Sequence, residues 1–270
     1  MSVNKSNNFI IRVHDDSRID VKTSKGDALK FKVDDYWYKC NKFGYENIAE
    51  FITSELLNAI ENIDYVKYDL CEINYKGEIL NCCKSKNFLR EGESLVTLSK
   101  LLMTYEPKFY YSFSEYSPLI KLKTLIRILK DIGLDLSNYL LNTLLFDSLV
   151  LNEDRHLSNL AVISGDEYFR ECPIFDNGLS LLSDTKDYPF DVSTIENIAK
   201  VKSKPFVEDF KIQNQLIRNV LGDRKLKINI NKSYSNLANT NVKNLGSYHR
   251  CLEVLQFQFD RLRGDVYEEV

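Results

Sequence analysis

An α+β fold of two unequal lobes is predicted from three features of the sequence: a small strand-rich lobe carrying one helix, and a larger, mainly helical lobe. The first feature is size and composition. With 270 residues, 44% of them hydrophobic and 28% charged, the chain can bury one large core or two modest ones flanking a cleft. The second is a change of texture near residue 90, where short alternating runs give way to long segments with helical spacing. The third is a single amphipathic segment set among the early strands. The division places the first lobe at residues 1–92 and the second at 93–270.

In the first lobe, "ALKFKV" and "YWYKCN" alternate apolar and polar residues as strands do, and the turn formers of "SKGD" and "VDD" bound them. The segment "NIAEFITSELLNAI" (47–60) repeats Ile48, Phe51, Ile52, Leu56 and Ile60 at three- and four-residue intervals, the stripe of an amphipathic helix. In the second lobe, "SPLIKLKTLIRILKDIGLDLSNYLLNTLLFDSLVLN" predicts two packed helices broken around Gly133. Next, "LAVI", the polar turn "SGDEYFRE" and "CPIFD" read as two short strands closing as a hairpin. Helices around 205–221 and 245–263 complete the lobe, with a polar, Asn-rich surface loop near 231–243 between them.

Charge and composition narrow the function. A formal net charge of −3 gives no overall basic field, so nucleic acid is not an expected partner. No run approaches the roughly 18 consecutive apolar residues of a membrane span, and the start "MSVNKSNNFIIRV" lacks the apolar block of a secretory signal. A cytoplasmic location is the expectation. The six cysteines show no Cys-x-x-Cys spacing and only three histidines accompany them, which favours small buried thiols in a reducing compartment over zinc ligation or disulfides.

The stretch "LVLNEDRHLSNLAVI" (149–163) sets polar groups between two apolar runs. A loop leaving a buried helix presents Asp154 and, five residues on, Asn159, just before the hairpin's first strand; Asp176 ends its second strand. Paired strands return side by side, so Asn159 and Asp176 are expected to face one point. Carboxylate and amide oxygens are hard ligands suited to Mg²⁺, whose shell is completed by waters and phosphate oxygens. That is a phosphoryl-transfer arrangement. Each residue also has a structural alternative: Asp154 capping a turn, Asn159 satisfying loop backbone, Asp176 opening a turn with Asn177 and Gly178. Taken together, those alternatives account for neither the spacing nor the hairpin. His156 is a candidate acid or base near neutral pH, and Arg155 and His156 are alternatively a backbone brace; bracing is preferred, with Asp154 as the base.

Protein kinases combine a loop Asp, an Asn five residues on and a hairpin-end Asp in the same way. Here His follows the Asp as "DRH" instead of preceding it, and "FDNG" stands in place of Asp-Phe-Gly. "NEDRHLSNLAVI" followed by "CPIFDNGLSLL" resembles the HipA-like serine/threonine kinases, including their small cell-translocating group. The Asp-Arg-His-x-x-Asn element is shared with phosphoinositide kinases. The likeness is strongest over these two strings and extends from roughly residue 25 to "SKPF" (203–206). It implies a two-lobed protein-kinase-like fold, ATP with Mg²⁺ as cofactors, a protein substrate phosphorylated on serine or threonine, and autophosphorylation. It does not carry over an antitoxin partner.

Such an enzyme needs a cation on the nucleotide phosphates, steadied by a carboxylate from the neighbouring helix. Lys39 is the best match, since alternation along Tyr36-Trp37-Tyr38-Lys39 points Trp37 and Lys39 to one face and the helix begins a few residues later. Glu50 is the chosen partner, with Glu46 and Glu55 as rivals. Upstream of Lys39 there is no G-x-G-x-x-G; Ser24, Lys25 and Gly26 in "KTSKGDALKF" are candidate phosphate neighbours, with an ordinary turn as the alternative. Two other functions stay open. A phosphoinositide kinase would need a cationic loop after Asp176, whereas "DNGLSLLSDTKDYPFDV" sets Asp184, Asp187 and Asp191 against Lys186. A nucleotide-binding pseudokinase acting as an interaction module would fit the sparse phosphate loop.

Overall fold

The computed structural model describes residues 10–19, 28–238, 240 and 242–270; Ser24, Lys25 and Gly26 lie outside the described residues. The architecture is α+β, with a strand-rich sheet and one helix followed by a mostly helical region. The sheet contains β1 (Ile11–Val13), β2 (Lys30–Val33), β3 (Tyr36–Cys40), β4 (Asp69–Tyr75) and β5 (Glu78–Lys86) in the order β1-β4-β5-β3-β2, and only β1 runs parallel to its neighbour. The β4–β5 hairpin turns through Lys76 and Gly77, both with positive φ, the backbone twist that suits a two-residue connection. Alternation sends Val13, Phe31, Tyr38, Cys40, Ile73 and Cys82 into a small core on one face, which leaves Lys39 on the other.

The helix on that other side is α1 (Glu46–Leu57). It is buried nearly all round, because Ile48, Phe51, Ile52, Leu56 and Leu57 belong to the core of the helical region while the same helix packs on β3, β4 and β5. A helix shared by two layers has no wide polar face. This placement fixes Glu50 between them.

The helical region begins after β6 (Ser94–Thr97) with α2 (Leu98–Tyr105), α3 (Pro107–Tyr111), α4 (Pro118–Asp131) and α5 (Ser137–Val150). Gly133, at φ +80°, ends α4 as the sequence predicts. From Tyr139 to Val150 only Asn142 escapes full burial on α5, so this helix is the axis of the main core. Buried polar links lace it to its neighbours α7 (Phe210–Leu221) and α9 (Leu245–Leu262): Asn214 Nδ2 donates to Ser148 Oγ at 2.9 Å, and Gln258 Nε2 to the Ser148 carbonyl at 2.6 Å.

Between α5 and α7 come β7 (Ala161–Ser164), β8 (Phe169–Glu171) and α6 (Thr194–Ile198). The predicted hairpin forms, and β6 joins it as a third antiparallel strand. Its second strand differs from expectation: β8 lies in "SGDEYFRE", and "CPIFD" is largely extended loop in which Ile174 bridges Tyr65. Asp176 therefore follows the hairpin instead of ending its strand. The Asn-rich patch also differs. After β9 (Leu226–Ile228), residues Ile230–Ala238 form α8, because Ser233 and Leu237 meet the protein at helical spacing. The chain closes with β10 (Tyr267–Glu269), parallel to β9. Among the described residues, no helix is long and apolar enough to cross a membrane, and the six cysteines are free, five of them buried.

The two outer strands of the β6–β8 layer are clamped by an ion pair between Glu93, just before β6, and Arg170 on β8. Arg170 Nε and Nη2 reach the two carboxylate oxygens of Glu93 at 2.8 and 2.6 Å, while the Arg90 amide and the Tyr168 hydroxyl donate to the same group. The Arg170 hydrogen bonds hold the Glu93 carboxyl down at about 2. Its folded pKa thus lies below the unfolded value of about 4.3, so the stabilisation is complete above the unfolded value and disappears as pH falls through the folded one. The urea midpoint of wild type should exceed that of Glu93→Gln at about pH 6, and the gap should close by about pH 2.

Candidate active site

The loop after α5 is built on a buried ion pair. Asp147, on the last turn of α5, accepts from Arg155 Nε at 2.9 Å and Nη2 at 3.0 Å, and Asn152 Nδ2 completes its shell at 3.0 Å. Arg155 is fully buried. Its remaining donors go to the carbonyls of Asn159 (3.0 Å) and Phe175 (2.7 Å) and to Asn177 Oδ1. Burial pushes the Asp147 carboxyl up, and the Arg155 charge and hydrogen bonds oppose that. One guanidinium therefore fastens the end of α5, the loop and both flanks of Asp176 together. Strand pairing was expected to align Asn159 with Asp176; Arg155 supplies the link instead.

Across from this loop, Lys39 Nζ contacts Glu50 Oε1 at 2.7 Å, Asp176 Oδ1 at 2.8 Å and the Tyr68 hydroxyl at 3.1 Å, and it lies 5.0 Å from the centre of the Tyr68 ring. The other Glu50 oxygen accepts from the Asn177 amide at 3.0 Å. Burial pushes the Glu50 carboxyl up, with Lys39 opposing. Burial also disfavours the Lys39 ammonium, but Asp176 and Glu50 outweigh it and raise its pKa well above the usual value. For Asp176, burial is overcome by the positive charges of Lys39 and Lys30, so its carboxyl is held well below the usual range. Asp176 itself adopts the left-handed region at φ +59°, a conformation that non-glycine residues keep mainly where surrounding contacts enforce it.

The rival glutamates serve elsewhere. Glu46 accepts from the amides of Lys42, Phe43 and Gly44 in front of α1, and Glu55 faces Lys67 on the surface. The start of α1 is in turn locked to the segment after Asp176. The Tyr45 hydroxyl donates to the Leu181 and Leu182 carbonyls at 2.9 and 2.7 Å, and the Thr185 amide and hydroxyl donate to the Phe43 carbonyl. Leu181 and Leu182 also have positive φ. Gly44 bridges Asp184 so closely that a Cβ there would overlap the Ser183 carbonyl, which explains the glycine.

On the loop, Asp154 is buried and takes its amide's acceptor from Asn152 Oδ1. Lys204 Nζ reaches Asp154 Oδ1 at 3.1 Å, and His156 Nε2 lies 3.7 Å from Oδ2. Burial lowers the His156 pKa, opposed by Asp154. Asn159 gives its amide nitrogen to the Asp154 carbonyl at 2.9 Å, which orients its Oδ1 as the ligand-capable end. Near the same loop, Glu153, Asp184 and Asp187 bring carboxylate oxygens within 4.8 Å of one another, and the Tyr188 hydroxyl donates to Glu153.

Lys39 is thus in direct contact with both Glu50 and Asp176, and Asp154, His156 and Asn159 share one loop that Arg155 ties to the backbone beside Asp176. Reasoning from the sequence missed Tyr68, Asp147, Asn177 and Lys204. Asp147 carries a local signal, a carboxylate in an otherwise apolar helix; Tyr68 carries none, and Lys204 lies in "SKPF" without anything local that points to Asp154.

No protein-family model matches the sequence, and no curated protein matches it. Among solved structures, the chain is similar to the Helicobacter pylori proinflammatory kinase CtkA, with a TM-score of 0.62 and 16% identity over 90% of this chain and 91% of that one. HipA from the Shewanella oneidensis MR-1 toxin–antitoxin system, solved with HipB and operator DNA, aligns at a TM-score of 0.47 and 16% identity, covering 84% of this chain and 58% of that one. The chain shares its fold with the kinase CtkA.

Proposed function

We propose that the chain is an ATP- and Mg²⁺-dependent serine/threonine protein kinase of HipA-like type that also phosphorylates itself. The observation that carries this reading is the contact of Lys39 with both Glu50 and Asp176, at 2.7 and 2.8 Å. A structural ion pair needs one carboxylate; a cation spanning a helix and a loop between two lobes is the arrangement that nucleotide phosphates require. The donor set fits the metal: the Asp176 carboxylate and the Asn159 amide oxygen are both hard ligands, and Mg²⁺ needs few protein contacts beyond phosphate and water. When bound, Mg²⁺ would neutralise phosphate charge.

The remaining work falls to the chain's own groups. Lys39, held by Glu50, would bind nucleotide phosphates. Asp154 would orient the substrate hydroxyl and accept its proton, and His156, kept neutral by burial, would brace the loop beside it. A protein substrate is favoured over a phosphoinositide because the carboxylates of Glu153, Asp184 and Asp187 crowd the flank of the loop, where a polyanionic head group would be repelled.

Mass spectrometry of wild type and Lys39→Met, incubated with ATP and Mg²⁺ alongside a generic basic protein, tests the proposal. Phosphate on serine or threonine is expected with wild type, falling about 10²-fold or more in the variant. Nucleotide-dependent stabilisation without any turnover would instead establish a pseudokinase, and labelling of phosphoinositide vesicles alone a lipid kinase.

A further inference from the structure

The loop between α6 and α7 holds "SKPF" (203–206), where the likeness read from the sequence ends, and it delivers a cation to Asp154. Lys204 sits fifty positions beyond Asp154 and reaches it at 3.1 Å, with 42% of its side chain exposed against 11% for Asp154. Such contrast marks a cation resting on a buried carboxylate while its other donors face outward.

The backbone under Lys204 is built with unusual care for a connecting loop. Gln213, fully buried, donates to the Lys204 carbonyl at 2.8 Å and accepts from the Phe206 and Val207 amides at 3.1 and 3.3 Å. Ser203 bonds Val207 and Glu208 across the same turn, and Phe206 is anchored in the main core. Lysine is otherwise a flexible side chain; here its root is fixed. The same carboxylate is met by His156, whose Nε2 lies 3.7 Å from Asp154 Oδ2, so Lys204 and His156 approach Asp154 from its two oxygens. The Lys202–Glu208 pair on the same turn, by contrast, has both side chains out in solvent, 68% and 76% exposed.

We propose that Lys204 is a catalytic cation of the transfer step, aligning the Asp154 carboxylate with one donor and binding the γ-phosphoryl group with another. The inference rests on the kinase reading and deepens it. In that step the substrate hydroxyl oxygen bonds to the γ-phosphorus, the bond from that phosphorus to the β–γ bridging oxygen breaks, the hydroxyl proton passes to Asp154, and ADP leaves. Lys204 remains an ammonium throughout. Its charge opposes the negative charge on the equatorial oxygens.

Phosphotransfer to a basic protein and calorimetric binding of MgATP and MgADP should be measured on wild type, Lys204→Met, Lys204→Arg and, as a control, Lys202→Met. Lys204→Met should lose about 10²-fold in kcat and about tenfold in MgATP affinity while keeping MgADP affinity, with a melting temperature within about 2 °C of wild type. Lys204→Arg should recover part of both, and Lys202→Met should match wild type. A wild type that transfers phosphate beside a Lys204→Met variant with unchanged kcat and an unchanged ratio of MgATP to MgADP affinity overturns the role of Lys204 and leaves the kinase reading standing. If wild type binds MgATP without transferring it, an unchanged ratio overturns the γ-phosphoryl contact by itself. A wild type that neither binds nor transfers overturns both.

Discussion

Asp154→Asn should retain the melting shift that MgATP produces in wild type while losing about 10²- to 10⁴-fold of the phosphotransfer rate. The substitution keeps the shape of the side chain and an oxygen for Lys204, but an amide cannot take a proton from the attacking hydroxyl. Asp176→Asn should behave differently. It removes one of the two carboxylates that Lys39 touches and the charged member of the candidate metal pair, so the Mg²⁺-dependent part of nucleotide binding should fall together with transfer. Melting curves with ATP, with and without Mg²⁺, read the two effects separately, since a ligand stabilises in proportion to its affinity for the folded state. Full transfer by either variant would remove that residue from the role assigned to it. A loss of the Mg²⁺-dependent shift in Asp154→Asn, with Asp176→Asn unaffected, would exchange the two roles.

What the sequence made legible follows from the range of each interaction. Period and turn chemistry are local, so α1, the α4–α5 pair and the break at Gly133 were readable, as was the face of β3 that carries Lys39. The choice of Glu50 over Glu46 needed more than spacing. Both lie toward the same side of α1, and Glu46 is excluded only because three backbone amides of residues 42–44 claim it. The position of Asp176 was misread for a related reason. "CPIFD" has the apolar content of a strand, but only Ile174 finds a strand-like partner, in Tyr65, and pairing partners distant in sequence leave no periodic trace. In 231–243, polar composition concealed a short helix whose inward residues, Ser233 and Leu237, are too few to dominate the pattern. The contacts of Lys204 with Asp154 and of Tyr68 with Lys39 were invisible because the partners lie far apart along the chain.

Arg155→Met should destabilise the fold by about 3–5 kcal/mol, because it strands the Asp147 carboxylate in a dry interior. Arg155 and Asp147 have side-chain exposures of 0% and 1%, so solvent cannot replace the lost partner. Substituting both, Asp147→Leu with Arg155→Met, removes the uncompensated charge and should recover much of that loss, since a buried pair replaced by apolar groups of similar volume is often neutral. Activity should not return with it. Arg155 also holds the Asn159 and Phe175 carbonyls and Asn177 Oδ1, and no apolar side chain can bind those three acceptors. Urea midpoints at constant slope would report the stability side, and phosphotransfer the other. Recovery of stability and transfer together would mean that the loop and Asp176 are aligned by packing alone; recovery of stability without transfer would identify Arg155 as the tie that converts a buried ion pair into the alignment of a reaction site.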